Sequence, residues 1–144
     1  MKKPLIIIIL AFIVVMSILG LLLVNIRNGN KRMQQINIEY EYYLNKKIYG
    51  TELATLINKA IENNKKYEVK KNEKGLYINN ETNSILITIE MIQTKETYHM
   101  EQIYALGTEQ FVNLFNSSVF ESDKVTYHEK NGRIAEILFK QVVE

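Results

Sequence analysis

The 144-residue chain contains no cysteine and no tryptophan, one proline and two histidines. Without cysteine, disulfides, thiolate zinc sites and cysteine nucleophiles are excluded. His99 and His128 each have a glutamate close by, but no H-E-x-x-H spacing exists to assemble a metal site or a general base. We therefore expect both histidines to be solvent-facing strand residues. The sequence predicts no catalytic residue, no cofactor and no metal ligand, and hence no enzyme.

A surplus of positive charge is also missing. Lys and Arg number 18 and Asp and Glu number 16, and Lys2 and Lys3 stand before the first apolar run. The rest of the chain therefore has as many basic as acidic residues. A nucleic-acid-binding domain needs excess Lys and Arg to neutralise phosphates, so we expect no nucleic-acid partner. The usage of Lys, Asn, Ile, Glu and Tyr is typical of a bacterial protein with AT-rich DNA.

One long apolar run is present, from Leu5 to Ile26, and it holds no charged residue. As a helix it would be about 33 Å long, which matches a hydrocarbon core of about 30 Å. A cleavable signal would have a shorter run and a small-residue cleavage site, and a helix apolar on every face could hardly be buried here. The run thus predicts a transmembrane anchor in the lipid bilayer, with these anchor residues: Leu5, Ile9, Phe12, Val15, Leu19, Leu22 and Ile26.

Positive charges flank this run on both sides, so they fix its orientation weakly. Residues 1–4 form a short basic tail, and Arg27, Lys31 and Arg32 come after the run. The tail has the form of a signal-anchor. We expect a single-pass membrane protein with its N-terminus inside and its domain extracytoplasmic.

Residues 27–63 predict juxtamembrane amphipathic helices. After a loop-like "RNGN", apolar residues recur at helical spacing up to Gly50, and Thr51 can cap a second helix. The second helix has an apolar stripe made of Leu53, Leu56, Ile57, Ala60 and Ile61. The first presents a candidate contact face made of Met33, Ile36, Tyr40 and Tyr43. Two heptads are short for a coiled coil, so packing on the chain's own sheet is favoured over contact with a second copy or another membrane protein.

Residues 64–144 change to a period of two, which indicates strands. We predict a hairpin over 67–79, a strand over 84–92 with Ile85, Ile87 and Ile89 on one face, and a short strand over 96–100. A short helix or two come next, in which Phe111, Leu114 and Phe115 face inward. Together with 31–63 this predicts one α+β domain, with helices packed on an antiparallel meander that ends in a hairpin.

The final hairpin has a strong local signal. Asn131-Gly132 lies between two β-rich runs and tolerates positive φ at both central positions of a type I′ turn. Counting outward from that turn places Tyr127 opposite Glu136 and Thr126 opposite Ile137.

This order of elements resembles the architecture of type IV pilin-like proteins and pseudopilins, over most of the chain. Those families carry a glycine just before the apolar helix, for the processing peptidase, and a glutamate a few residues into it. Here Lys3-Pro4-Leu5 occupy that place and the first acidic residue is Glu39. The missing processing motif argues against pilin-type processing and assembly.

The expected function is inferred from these features together. We expect a membrane-anchored α+β domain that acts by binding or structural contact at the membrane surface, with no specific activity assigned. The alternative is a subunit of an envelope assembly, of the pilin-like, secretion or cell-division kind. An enzyme is the third and least favoured interpretation.

Overall fold

A computed structural model describes residues 2–142, except for the side chains of Lys2, Lys3, Asn30, Arg32 and Met33. The chain divides into two compact units, Met1–Gln35 and Ile36–Glu144. The elements in chain order are α1 (Lys2–Glu41), β1 (Ile48–Tyr49), α2 (Gly50–Lys66), β2 (Leu86–Glu90), β3 (Thr97–His99), α3 (Met100–Leu106), α4 (Thr108–Phe115), β4 (Val119–Tyr127) and β5 (Ile134–Val142).

The first unit consists of the greater part of α1, and the apolar run Leu5 to Ile26 is helical throughout. Its one proline, Pro4, lies in the first turn, where a missing N–H breaks no helical bond. The loop predicted over residues 27–30 is wrong, because α1 continues through it. Extending a helix that already exists costs far less than starting one, so Asn28 and Gly29 alone do not end it.

The last turns of α1 belong to the second unit, where the helix ends at Glu41. The helix predicted up to residue 49 is therefore too long. Leu44 N–H bonds to the Glu41 carbonyl in a turn, and Asn45 takes a φ of 57°, which asparagine tolerates better than most residues. The turn lets Leu44 and Ile48 both enter the core.

Helix α2 begins at Gly50 and confirms the predicted apolar stripe, all five residues of which are buried. The predicted Thr51 cap is wrong. Instead, the Glu52 carboxylate accepts the Tyr49 N–H at 3.0 Å, and its negative charge also suits the helix N-terminus. Gly50 is packed so tightly that a Cβ there would lie 2.1 Å from the carbonyl oxygen of Phe115.

The five-stranded sheet has the order β1-β4-β5-β2-β3. The α+β fold class is confirmed, but the purely antiparallel meander is wrong, because β2 and β5 are parallel neighbours. A parallel pair needs a long crossover connection, and here β3, α3, α4 and β4 supply it. The short strand predicted over 96–100 is confirmed as β3, which pairs with β2.

The C-terminal hairpin is confirmed, but its register differs from the predicted one, by two residues at Tyr127 and by one residue at Thr126. Tyr127 lies opposite Ile134, and Thr126 lies opposite Glu136. The register also shifts twice along the strands, which leaves Asp123 of β4 and Ala135 of β5 without an opposite residue. Such bulges reverse which side chains face the core.

The predicted type I′ turn is wrong. His128 N–H bonds to the Arg133 carbonyl at 2.7 Å, so four residues form the loop. Gly132 has a positive φ of 67°, whereas Asn131 does not. Asn131 uses its side chain instead, accepting the Arg133 N–H and donating to the Thr82 carbonyl.

The predicted hairpin over 67–79 is reduced to one bridge, between Lys71 and Tyr77, outside the sheet. The core lies between α2, α3 and α4 and one face of the sheet, with Ile87, Ile89 and Phe139 fully buried. Leu86, Thr88 and Leu138, which alternate with those residues, are half-buried.

Candidate functional site

The predicted anchor residues all lie on α1, and every large apolar side chain from Leu5 to Ile26 is 49 to 70% exposed. This helix is long and apolar enough to cross a membrane, with a mean hydropathy of 3.3 in its most apolar window. None of that window is buried against the protein. A core helix of a soluble domain would be mostly buried.

Most of the candidate contact face packs in the core of the second unit. Tyr40 is buried, and Ile36 and Tyr43 pack against the same cluster of apolar side chains. The side chain of Met33 lies outside the described residues. Ile36, Tyr40 and Tyr43 are thus engaged within the second unit.

The two histidines have different surroundings. His99 is half-buried at the end of β3, where its main-chain N–H donates to the Gln102 side-chain oxygen at 2.8 Å. His128 is buried, so the prediction that it faces solvent is wrong. Its Nε2 lies 2.7 Å from the Ser84 carbonyl oxygen, and its Nδ1 has no hydrogen-bond partner among the described residues. His128 is buried because the four-residue loop turns it toward the 79–84 segment.

Arg133 is also buried, and sequence reasoning missed it. Its guanidinium donates to the side-chain oxygens of Asn83 at 2.7 Å and Asn63 at 3.0 Å, and lies 5.0 Å from the ring centre of Tyr67. Neutral amide oxygens therefore solvate the charge. The cluster ties the hairpin loop to α2 and to the 79–84 segment, which is a structural role.

The polar surface near the hairpin loop offers little chemistry. No group of three His, Asp or Glu side chains in the described part of the chain could hold a metal ion. An open groove of about 470 Å³ borders the loop, with Tyr127, His128 and Glu136 in its lining. Lys130 at its rim is paired with Glu81, and both side chains are well exposed. This groove is a solvated polar surface.

A smaller cleft lies between α3 and α4, and its lining is almost entirely apolar. Gly107 joins the two helices with a φ of 95°, a conformation that glycine adopts without strain. The cleft has a volume of about 130 Å³ and is lined by Tyr98, Ile103, Leu106, Gln110, Phe111, Leu114 and Phe115.

The floor and the rim of this cleft differ in exposure. Ile103 and Phe111 form a buried floor, whereas Leu106 is 63% exposed and Leu114 is 74% exposed. The sequence prediction that Leu114 faces inward is wrong, because α4 turns that side chain to the rim. The Tyr98 hydroxyl is already bonded to the Glu96 carboxylate at 2.5 Å. The cleft can therefore bind an apolar group, and it offers few groups for proton transfer.

Comparison of the chain with protein-family models, with curated proteins and with solved structures finds no match. Function is therefore inferred from two features of the molecule: the exposed apolar helix and the α3–α4 cleft.

Proposed function

We propose that this protein is a single-pass membrane protein in which residues 5–26 span the bilayer and tether the second unit at the membrane surface. There the second unit acts by binding another molecule. The exposed apolar side chains of α1 carry this proposal.

The apolar side chains of that helix are more stable in a bilayer than in water. Burying one Leu, Ile, Val or Phe side chain away from water yields about 1.5–3 kcal/mol. The run from Leu5 to Ile26 consists mostly of such residues, each at least half exposed or nearly so. A bilayer would provide this burial over the whole length of the run, and an α-helix satisfies its own backbone hydrogen bonds there.

The orientation belongs to the same proposal. The short tail with Lys2 and Lys3 is typical of a bacterial signal-anchor, which leaves the N-terminus inside and exports the polypeptide C-terminal to the anchor. The second unit would then be extracytoplasmic. Binding is favoured over catalysis because the α3–α4 cleft is lined mostly by leucine, isoleucine and phenylalanine, which transfer no protons, and its one tyrosine hydroxyl is already bonded to Glu96.

The anchor is tested by membrane extraction of the full-length protein produced in bacterial cells. We expect it to stay in membranes washed with high salt and with alkaline carbonate, and to be released by detergent. Val15→Arg should weaken insertion, because Arg at a helix centre costs about 2.5–3.5 kcal/mol on the translocon scale. Ile38→Arg is the matched control, since Ile38 is an exposed isoleucine outside the run. Recovery of the intact, uncleaved protein in the soluble fraction would refute the proposal.

A second candidate function is a subunit of an envelope assembly, of the pilin-like, secretion or cell-division kind. The order of elements favours it: an apolar helix followed by an α+β unit. Replacing residues 5–26 with an unrelated apolar helix separates the two functions. An assembly held together through its anchors would lose co-purifying subunits, whereas a self-contained binding unit would keep its partner.

A further inference from the structure

The α3–α4 cleft has a shape and a charge that select among occupants. Its volume of about 130 Å³ is close to that of one branched or aromatic side chain. Leu106 and Leu114 extend the apolar surface on its rim, where they are exposed. Exposed apolar patches next to a cleft are found at binding sites more often than elsewhere on a protein surface.

No charged residue lines the cleft, and the carboxylates of Glu96 and Glu109 are next to its lining. Glu96 bonds to the hydroxyl of the lining residue Tyr98, and Glu109 directly precedes Gln110 of the lining. The helical stretch from Met100 to Phe115 contains no lysine or arginine, and its other acidic residue, Glu101, accepts the Tyr77 N–H away from the lining. Lys65 donates to the Tyr104 hydroxyl of α3 at 2.9 Å, and Tyr104 is not part of the cleft lining.

These observations argue against a lipid occupant. Anionic lipid headgroups would meet carboxylates of the same sign, and membrane-docking surfaces carry Lys and Arg instead. A protein segment that places one apolar side chain in the cleft and basic side chains beside it satisfies both the volume and the charge.

We propose that the α3–α4 cleft is a docking site for a segment of a partner protein with a leucine- or phenylalanine-sized side chain flanked by lysine or arginine. This names the partner chemistry of the binding role proposed above and rests on it. The apolar side chain supplies affinity, and the flanking charges supply orientation and on-rate.

The test uses the full chain in phosphatidylcholine nanodiscs, with empty nanodiscs as the blank. The probes are two short labelled helical peptides with the same leucine ridge, one carrying lysines and the other glutamates, and binding is read by fluorescence anisotropy. We expect the lysine peptide to bind more tightly than the glutamate peptide. Leu114→Gln should weaken the lysine peptide about tenfold, since burial of one leucine on the rim is lost. Glu109→Lys should reduce the difference in affinity between the lysine peptide and the glutamate peptide.

The matched control is Ile38→Gln, which removes an exposed apolar side chain elsewhere in the second unit. It should bind the lysine peptide like the unmodified protein. Equal binding of the two peptides, or equal loss in Leu114→Gln and Ile38→Gln, would overturn the proposal. So would self-association of the unmodified protein that Leu114→Gln abolishes, because the occupant would then be a second copy. Incorporation into nanodiscs is scored separately, so failure of the anchor and failure of the cleft are distinguishable.

Discussion

Asn64 offers the sharpest test of how the second unit is held together. Its side chain is fully buried at the C-terminal end of α2 and bonds to the main chain of Ile85 just before β2. Its Nδ2 donates to the Ile85 carbonyl at 2.8 Å, and its Oδ1 accepts the Ile85 N–H at 2.9 Å. One amide therefore joins the helix layer to the sheet at a site from which water is excluded.

Asn64→Ala removes both bonds to Ile85, together with a 3.1 Å bond that Oδ1 accepts from Asn63 Nδ2, and leaves the buried main-chain groups of Ile85 behind. An unsatisfied buried donor or acceptor costs about 1–3 kcal/mol, with the carbonyl at the lower end because it has two lone pairs. Alanine regains roughly 0.5 kcal/mol in helix propensity. We expect a net loss of about 1.5–3.5 kcal/mol in the free energy of unfolding.

The assay is urea unfolding of the full-length protein in a non-ionic detergent, followed by tyrosine fluorescence. With a slope of about 2 kcal/mol per molar urea, the middle of the usual range, the midpoint should fall by about 1–2 M. Asn58→Ala is the control on the same helix, because Asn58 is half-buried and makes one long bond of 3.4 Å to Thr108. Its midpoint should barely change. An Asn64→Ala midpoint as high as that of Asn58→Ala would show that the buried hydrogen bonds from Asn64 to Ile85 do not stabilise the second unit as expected.

Two further predictions concern close contacts and charge. Gly50→Ala should destabilise the second unit by several kcal/mol, since the new Cβ would clash with the Phe115 backbone. The new Cβ of Gly29→Ala would lie in open space, so this variant should be as stable as the unmodified protein or more stable. Thermal unfolding of the two variants measures the difference. The Lys130 ammonium, through its hydrogen bond, lowers the pKa of the Glu81 carboxyl. Because the pKa of Glu81 is lowered in the folded state, the ion pair stabilises the fold above the ordinary carboxyl pKa of about 4.3. This stabilisation is lost as the pH falls through the lowered pKa. Lys130→Met should raise the Glu81 midpoint in a carboxyl-carbon NMR titration, and an unchanged midpoint would contradict the pairing.

Local patterns in the sequence predicted local structure well. The spacing of Leu53, Leu56 and Ile57 indicated α2, and the alternation of Ile87 and Ile89 indicated β2, because each pattern arises from one face meeting the core. The apolar run indicated a helix from its length and composition alone. These elements depend on nearest neighbours along the chain.

Features set by distant contacts were not predictable in this way. Nothing near β2 in sequence shows that β5 will lie beside it in parallel, since that depends on how the intervening helices pack. Asn131-Gly132 favours a two-residue turn, but the bonds from Asn131 to Thr82 and from Arg133 to Asn63 stabilise a longer loop. The cleft was missed because Leu114 fits a helical stripe equally well whether it is covered or exposed.

The placement of β5 between β4 and β2 has a consequence for biosynthesis. Strands β2 and β4 have no central partner until Ile134–Val142 has been synthesised, so the five-stranded sheet cannot close before then. Loss of this late segment would leave β4 and β2 each with an unpaired side, so an intact β5 is required to avoid edge-to-edge aggregation of the sheet.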